Sequence, residues 1–520
     1  FRNCKMLATV RLNAVLKEIG NASFQGCTAM SRIDFPIQLN RIGEYAFYGC
    51  TGLTELQLPD SLTSYEYRAF ADCSNLEKIN YPISLTSGAF GAFQNDTKLT
   101  EITVPEGVKT LAPGAFQNAS CLKKITLPAG LTKIGNAAFQ DCTGLTEIDI
   151  PDSVTEIGEY AFQDCRKVKK LILPDGLKCY GYRAFSDCEL LESINYPLKL
   201  EEGAANAFQN DRKLLGIIIP DGVEMIAPHA FNGASYLQNV QLPDSLKKIK
   251  NAAFQNCSEL REILIPDGVV SLEEYAFYGC STLKEVQLPD SVTFMGYRTF
   301  SNCTALRKIH YPAGLVQAEA RCFENCSSLK KMEIPEGVTA LPDSIFDSAA
   351  YLTDIVLPST LTTIGQFAFT GCSALERLIL PDSVTSVKYR AFENCTSLTK
   401  IWIGRNVKEI SDGFRNCDKN KLTIYGEANT YAQQWAEENG FNFVAQRLDS
   451  EDALIYGKVT DQTGKGVEKV FISIYNKDER KTETQTYTDS DGRWSYNRAV
   501  KDRNYRIYFC MRSISSSFPI

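Results

Sequence analysis

Phenylalanine stands at Phe1, Phe24, Phe47 and onward to Phe392 at an unbroken step of 23 residues, and Phe414 closes the series one residue early. Proline keeps the same step, from Pro36 and Pro59 to Pro358 and Pro381. A fixed period of this size leaves few folds open. Each repeat is one coil that cannot bury its apolar side alone, so neighbours must stack. A solenoid without inserted loops has much surface and few places to build a catalytic pocket.

The coil can be read from Leu145 to Gly158. Leu145, Ile148 and Ile150 alternate as in a short strand, with Glu147 and Asp149 pointing the other way. Pro151 ends the strand because it lacks an N–H, and Asp152 and Ser153 turn the chain. Val154 and Ile157 form a second apolar pair before Gly158. The run Glu159-Tyr160-Ala161-Phe162 is expected to make one or two helical turns, with Phe162 and Cys165 on the inward face. A longer period overlies the first. The endings NAAF, EYAF and YRAF recur at steps of 115 residues, as do Tyr81, Tyr196 and Tyr311. Five coils therefore read as one duplicated block, either a trace of gene duplication or a surface repeated for multivalency.

The spacing L-x-x-I-x-L-P-x-x-V-x-x-I-G-x-x-A-F-x-x-C resembles the BspA-like leucine-rich repeats of bacterial surface proteins, over roughly residues 1–417. The resemblance implies a right-handed leucine-rich-repeat coil with a parallel β-sheet and short helical turns, assigned to residues 1–420. It also implies adhesion or host interaction. Residues 421–447 resemble the family's capping end piece: strand, helix over 428–438, strand. From 453 to 520 five strand-like runs alternate with turn signals, which suggests a small all-β sandwich. Gly457-Lys458-Val459, Gly466-Val467 and Thr488-Asp489-Ser490-Asp491-Gly492 resemble the carboxypeptidase regulatory-like domain, a non-catalytic transthyretin-like fold.

Composition narrows the function. Lys and Arg total 55 against 62 Asp and Glu, a net charge of −7, with no basic stripe for nucleic acid and no apolar run long enough for a transmembrane segment. Phe1 begins inside a coil without an initiator Met, so the chain reads as a fragment and says nothing of a signal peptide. Fourteen of the 18 cysteines stand three residues after the repeat Phe, where Ala119, Ala234, Ala349, Asp96 and Asp211 also occur. A slot that accepts Ala is a small buried slot, and free Cys behaves as a small hydrophobe. Stacked neighbours lie near bonding distance, so disulfides stay open, although parallel side chains suit them poorly. Cys322 and Cys326 form C-x₃-C with no His near, and His229 and His310 are far apart. The Asp489–Gly492 turn could suggest calcium but reads first as a β-turn. No phosphate-binding loop, nucleophile elbow or zinc-protease motif occurs. No catalytic residue, cofactor or metal site is expected.

The outward strand slots are the surface to inspect. One alternates Glu55, Lys78, Glu101, Lys124, Glu147, Lys170. The next is polar early (Asn80, Thr103, Thr126, Asp149) and apolar later (Ile172, Ile218, Leu264, then Val356, Ile379 and Trp402). Val356, Ile379 and Trp402 form an apolar strip that either the end piece or β-sandwich folds back to cover or that, with Arg377 and Lys400 beside it, is the candidate partner-binding strip, Trp402 its anchor. The expected role is a monomeric, non-enzymatic protein, secreted or on a bacterial cell surface, that adheres to a host or neighbouring-cell protein. The alternatives are a structural spacer for an absent domain and a carbohydrate-binding module, the latter wanting clustered exposed aromatics.

Overall fold

A computed structural model describes residues 1–446, 452–459, 461, 467, 470–477, 480–488, 493–500 and 505–510. They form two compact units. One comprises Phe1–Leu375, Ser386–Ser397 and Ile410–Cys417; the other comprises Glu376–Thr385, Leu398–Glu409 and the residues from Asp418 on.

The first unit is a stack of coils. Most coils contribute two strands of two or three residues, such as Glu147–Ile148 and Glu156–Ile157, separated by the proline turn. Every strand pairs in parallel with its equivalent 23 residues away: Lys124 faces Glu147, and Ile134 faces Ile157. The register is set by burial, because a one-residue slip would turn Ile148 out and Glu147 in. The five-coil block shows in the backbone as well. At Ser87 and at Glu202 the second ladder shrinks to single bridges, to Ser64 and to Cys179.

The third side of the coil departs from expectation: it is not helical. In nearly every coil the residues two before and two after the repeat Phe are left-handed, as at Tyr160 (φ 56°) and Asp164 (φ 63°). Two such residues within five end any α-helix. Hydrogen bonds between coils replace the helical ones. The amides of Tyr160, Phe162 and Asp164 donate to the carbonyls of Tyr182, Ala184 and Ser186 at 2.9, 2.7 and 2.9 Å. Asn, Asp and Gly fill most of the later left-handed positions, where such residues cost least. The earlier position takes Tyr, Arg and Ala, so nothing in the letters E-Y-A-F announced it.

In the second unit the strands Arg377–Ile379, Lys400–Trp402, Thr423–Tyr425 and Asn442–Val444 pair in parallel in that order. Helix Tyr431–Asn439 connects the last two and ends at Gly440, which is left-handed at φ 74°. This matches the strand–helix–strand reading, with the helix beginning three residues later. Further on, Asp452–Lys458 pairs antiparallel with Arg493–Val500, and Phe471–Asn476 lies between Lys481–Tyr487 and Tyr505–Cys510. Val470, Ile472 and Ile474 form a small core with Val459, Val467 and Ile507 against it. Gly466 and the Asp489–Gly492 turn lie outside the described residues.

Candidate binding surfaces

The interior carries the most chemistry by composition and none by environment. From Phe1 to Phe414 the repeat rings form a single column, with successive centroids 5.1–6.3 Å apart. All are buried except Phe1 at the open end. Beside the column runs a ladder of thiols that the sequence reading took for plain apolar groups. Each in-phase Cys from Cys27 on donates its S–H to the carbonyl of the repeat Phe of the preceding coil, as Cys165 does to Phe139 at 3.2 Å and Cys280 to Phe254 at 3.2 Å. Burial pushes the Cys50 and Cys280 thiols up to about 12, so they stay protonated and poor as nucleophiles.

Asp96 and Asp211 fill that slot in two coils and are almost wholly buried. One oxygen of each accepts the backbone N–H of Cys73 or Cys188, at 2.8 and 2.9 Å. The other oxygen is buried without a partner. Desolvation holds both carboxyls well above the usual carboxylate range. Two tyrosines in each of the first two blocks, absent from the sequence reading as buried bonding groups, tie distant coils together. The Tyr65 and Tyr180 hydroxyls donate to the carbonyls of Ala115 and Ala230, and those of Tyr81 and Tyr196 accept the amides of Ala112 and Ala227 at 2.9 and 2.8 Å.

The outward strand face behaves differently. Glu55, Lys78, Glu101, Lys124, Glu147 and Lys170 are all exposed, with opposite charges in register. Ile172, Ile218 and Leu264 stand in water at 60, 66 and 75% exposure. His310 is also exposed, its Nε2 3.0 Å from Asp290 Oδ1. The proposed strip fares less well. Val356 is exposed on the first unit, and Ile379 is partly buried on the second. Trp402 is only 3% exposed, so of the two alternatives the open anchor is not the one met. It stands in register between Ile379 and Tyr425, and its Nε1 donates to Asp382 Oδ1 at 3.3 Å. Arg377 and Lys400 are paired in register and partly buried.

A second surface lies on the turn side, where the left-handed positions bring aromatic side chains of adjacent coils together. Tyr45 meets Tyr67 edge-on at 5.3 Å, and Phe90 stacks on Tyr67 at 6.1 Å. Tyr160 meets Tyr182 at 5.4 Å, Tyr275 meets Tyr297 at 5.5 Å, and Phe367 meets Tyr389 at 5.6 Å. Each pair carries an arginine over one ring. Arg68, Arg183, Arg298 and Arg390 place Cζ 5.3, 5.6, 5.4 and 4.7 Å from the centroids of Tyr67, Tyr182, Tyr297 and Tyr389. The recurring Y-R-A-F was visible in the sequence; that its Tyr meets the Tyr of the preceding E-Y-A-F coil was not. Among the described residues no cluster of His, Cys, Asp or Glu could hold a metal ion, and no helix is long and apolar enough to cross a membrane.

Comparison with known proteins agrees with this architecture. The chain is similar to a leucine-rich repeat protein from Bacteroides ovatus, with 28% identity over 69% of this chain and 87% of that one and a TM-score of 0.51. It is also similar to a leucine rich cell surface protein from Faecalibacterium prausnitzii (26% identity, 57% and 83% covered, TM-score 0.31) and to the T. pallidum leucine-rich repeat protein (30% identity, 32% and 80% covered, TM-score 0.30). A search of curated proteins returned no match. The model of the BspA type leucine rich repeat region matches residues 1–97, 89–214, 202–330 and 317–436. With coils of this spacing, a stacked Phe column and parallel ladders in register, the chain belongs to the BspA-type leucine-rich-repeat family.

Proposed function

We propose that this chain is the binding part of a bacterial surface or secreted protein, acts as a monomer without catalysis, and adheres to a protein on a host or neighbouring cell. The observation that carries the reading is the outward strand face. It presents Ile172, Ile218 and Leu264 to water in coils whose apolar cores are buried without them. Isolated apolar groups on a surface are ordinary, but three on one slot, two coils apart each time, make a regular feature that packing does not demand. The alternating charges of the neighbouring slot fit the same reading, since rim charges favour specificity over affinity.

The remaining parts support presentation of that face. We assign residues 1–420 to the solenoid and read it as right-handed, the hand that parallel strand crossovers favour. Thr423–Tyr425 and Asn442–Val444 extend the strand stack of Arg377–Ile379 and Lys400–Trp402 with helix Tyr431–Asn439 between them, which supports reading residues 421–447 as the capping end piece. We assign residues 453–520 to a small β-sandwich of the carboxypeptidase regulatory-like kind on the strand and turn pattern of their sequence. Val356, Ile379, Trp402, Arg377 and Lys400 enter in a reduced form: Val356 as an exposed contact, and buried Trp402 as a packing residue of the closing strands. The test is flow cytometry of labelled protein on host epithelial cells, before and after the cells are trypsinised. Binding that is protease-sensitive and lost in the Ile172→Ser, Ile218→Ser, Leu264→Ser triple variant is expected. Binding unchanged by the triple variant would move the function off this face.

A further inference from the structure

We infer that the turn side carries two copies of a binding site for an acidic sugar, centred on Arg68 with Tyr67 and on Arg183 with Tyr182. Four coils have the arginine-over-tyrosine arrangement, and they divide into two kinds. Arg298 forms an ion pair with Glu324 at 3.0 Å, and Arg390 meets Asp412 at 3.4 Å and Glu393 at 3.6 Å. Arg68 and Arg183 have no acidic partner within ion-pair distance among the described residues; a buried Nε without a hydrogen bond does not set them apart, since Arg390 has one too. The acidic residues four places on, Asp72 and Asp187, take neutral donors instead. Asp72 accepts from Asn95 at 2.9 Å, and Asp187 accepts from Asn210 at 2.8 Å and from Ser186 at 3.1 Å. Two partly buried guanidinium groups thus stand over tyrosine rings without an ion-pair partner among the described residues.

The ligand class follows from what surrounds that charge. A planar guanidinium favours a bidentate carboxylate. The rings of Tyr45, Tyr67 and Phe90 at the first copy, and of Tyr160 and Tyr182 at the second, offer partly open faces beside it. A flat cation next to aromatic faces suits a pyranose bearing a carboxylate, which stacks its C–H face on a ring and aims its acid at the arginine. The copies are five coils apart, on the order of 24 Å at about 4.8 Å per coil. A polymer of uronic acids could engage both at once, so each site would raise the effective concentration at the other. Backbone strain does not distinguish these arginines, because the left-handed conformation of Arg68 (φ 50°) and Arg183 (φ 51°) is shared by nearly every coil.

The experiment is titration of the full chain against immobilised polygalacturonate and its fully methyl-esterified form, which removes the charge and keeps the sugar. Binding to the acid and at least tenfold weaker binding to the ester is expected. The Arg68→Gln, Arg183→Gln pair should lose tenfold or more on the acid, and Arg298→Gln less than twofold. Equal binding of acid and ester, an unaffected arginine pair, or no binding of polygalacturonate by the wild-type chain would overturn the assignment. Thermal melts accompany each variant. Should the glutamine pair melt early, Arg68→Lys with Arg183→Lys keeps the charge and must still prefer acid over ester; loss of that preference counts against the site.

Discussion

Phe139, Phe162 and Phe185 are interchangeable inside their coils, whereas the outward strand slot that follows each of them holds Asp149, Ile172 and Asn195 in turn. The inner wall repeats because every coil presents the same cavity to its neighbour, and a ring of one size fills it in one orientation. The outer wall meets only water and the adjacent rung, so packing sets no residue there. Inner substitutions should therefore act on stability and outer ones on recognition. The same contrast separates the 14 in-phase cysteines from chemistry: their abundance reports the slot, not a reaction.

The largest effect expected is on the inner wall. Phe162→Ala should cost about 3–5 kcal/mol in denaturant unfolding, while Ile218→Ala should stay within about 0.5 kcal/mol. Comparable costs for the two would erase the contrast. Next come Asp96 and Asp211. Their folded pKa values lie above the ordinary 3.8, so above about that pH the folded state holds protons the unfolded state has released. Stability falls as pH rises through this window, by about 1.4 kcal/mol for each unit by which folded exceeds unfolded pKa. Urea melts across pH 4–8 should show that fall, and the Asp96→Asn, Asp211→Asn pair should flatten it; an unchanged slope would mean the carboxyls find a partner when ionised. Cys165→Ala should cost about 1 kcal/mol, since it removes the bond to the Phe139 carbonyl yet leaves a residue that other coils accept in that slot. A loss of several kcal/mol would give the thiol ladder a larger share of the fold. The smallest effect belongs to Lys124→Glu, which puts three like charges in register with Glu101 and Glu147. Its destabilisation should be slight and should vanish at high salt.

The period, the two strands of each coil, the Phe column and the small Cys slot were legible because each follows from spacing and burial along one coil. What escaped were bonds between coils. Tyr65 reaches a carbonyl 50 residues away, and no local pattern announces such a partner. The Phe162 run read as helix because Glu, Tyr and Ala are not turn formers; only the ladder to Ala184 compensates for the left-handed backbone at Tyr160. The sequence left Trp402 undecided between an open anchor and a covered residue, because strand alternation tells which side a residue takes, not what lies over that side. Arg68 and Arg183 were visible as letters, but their missing counter-ions became evident only beside Glu324 and Asp412 at the equivalent coils.

The division between walls is tested most directly by a thermal melt of the Ile172→Ser, Ile218→Ser, Leu264→Ser triple variant beside the wild-type chain. Three apolar groups already exposed to water lose nothing on becoming polar, so the two transitions should coincide within a degree or two. A transition lowered by five degrees or more would show these side chains buried in the folded chain, and the outward face would then be part of the core.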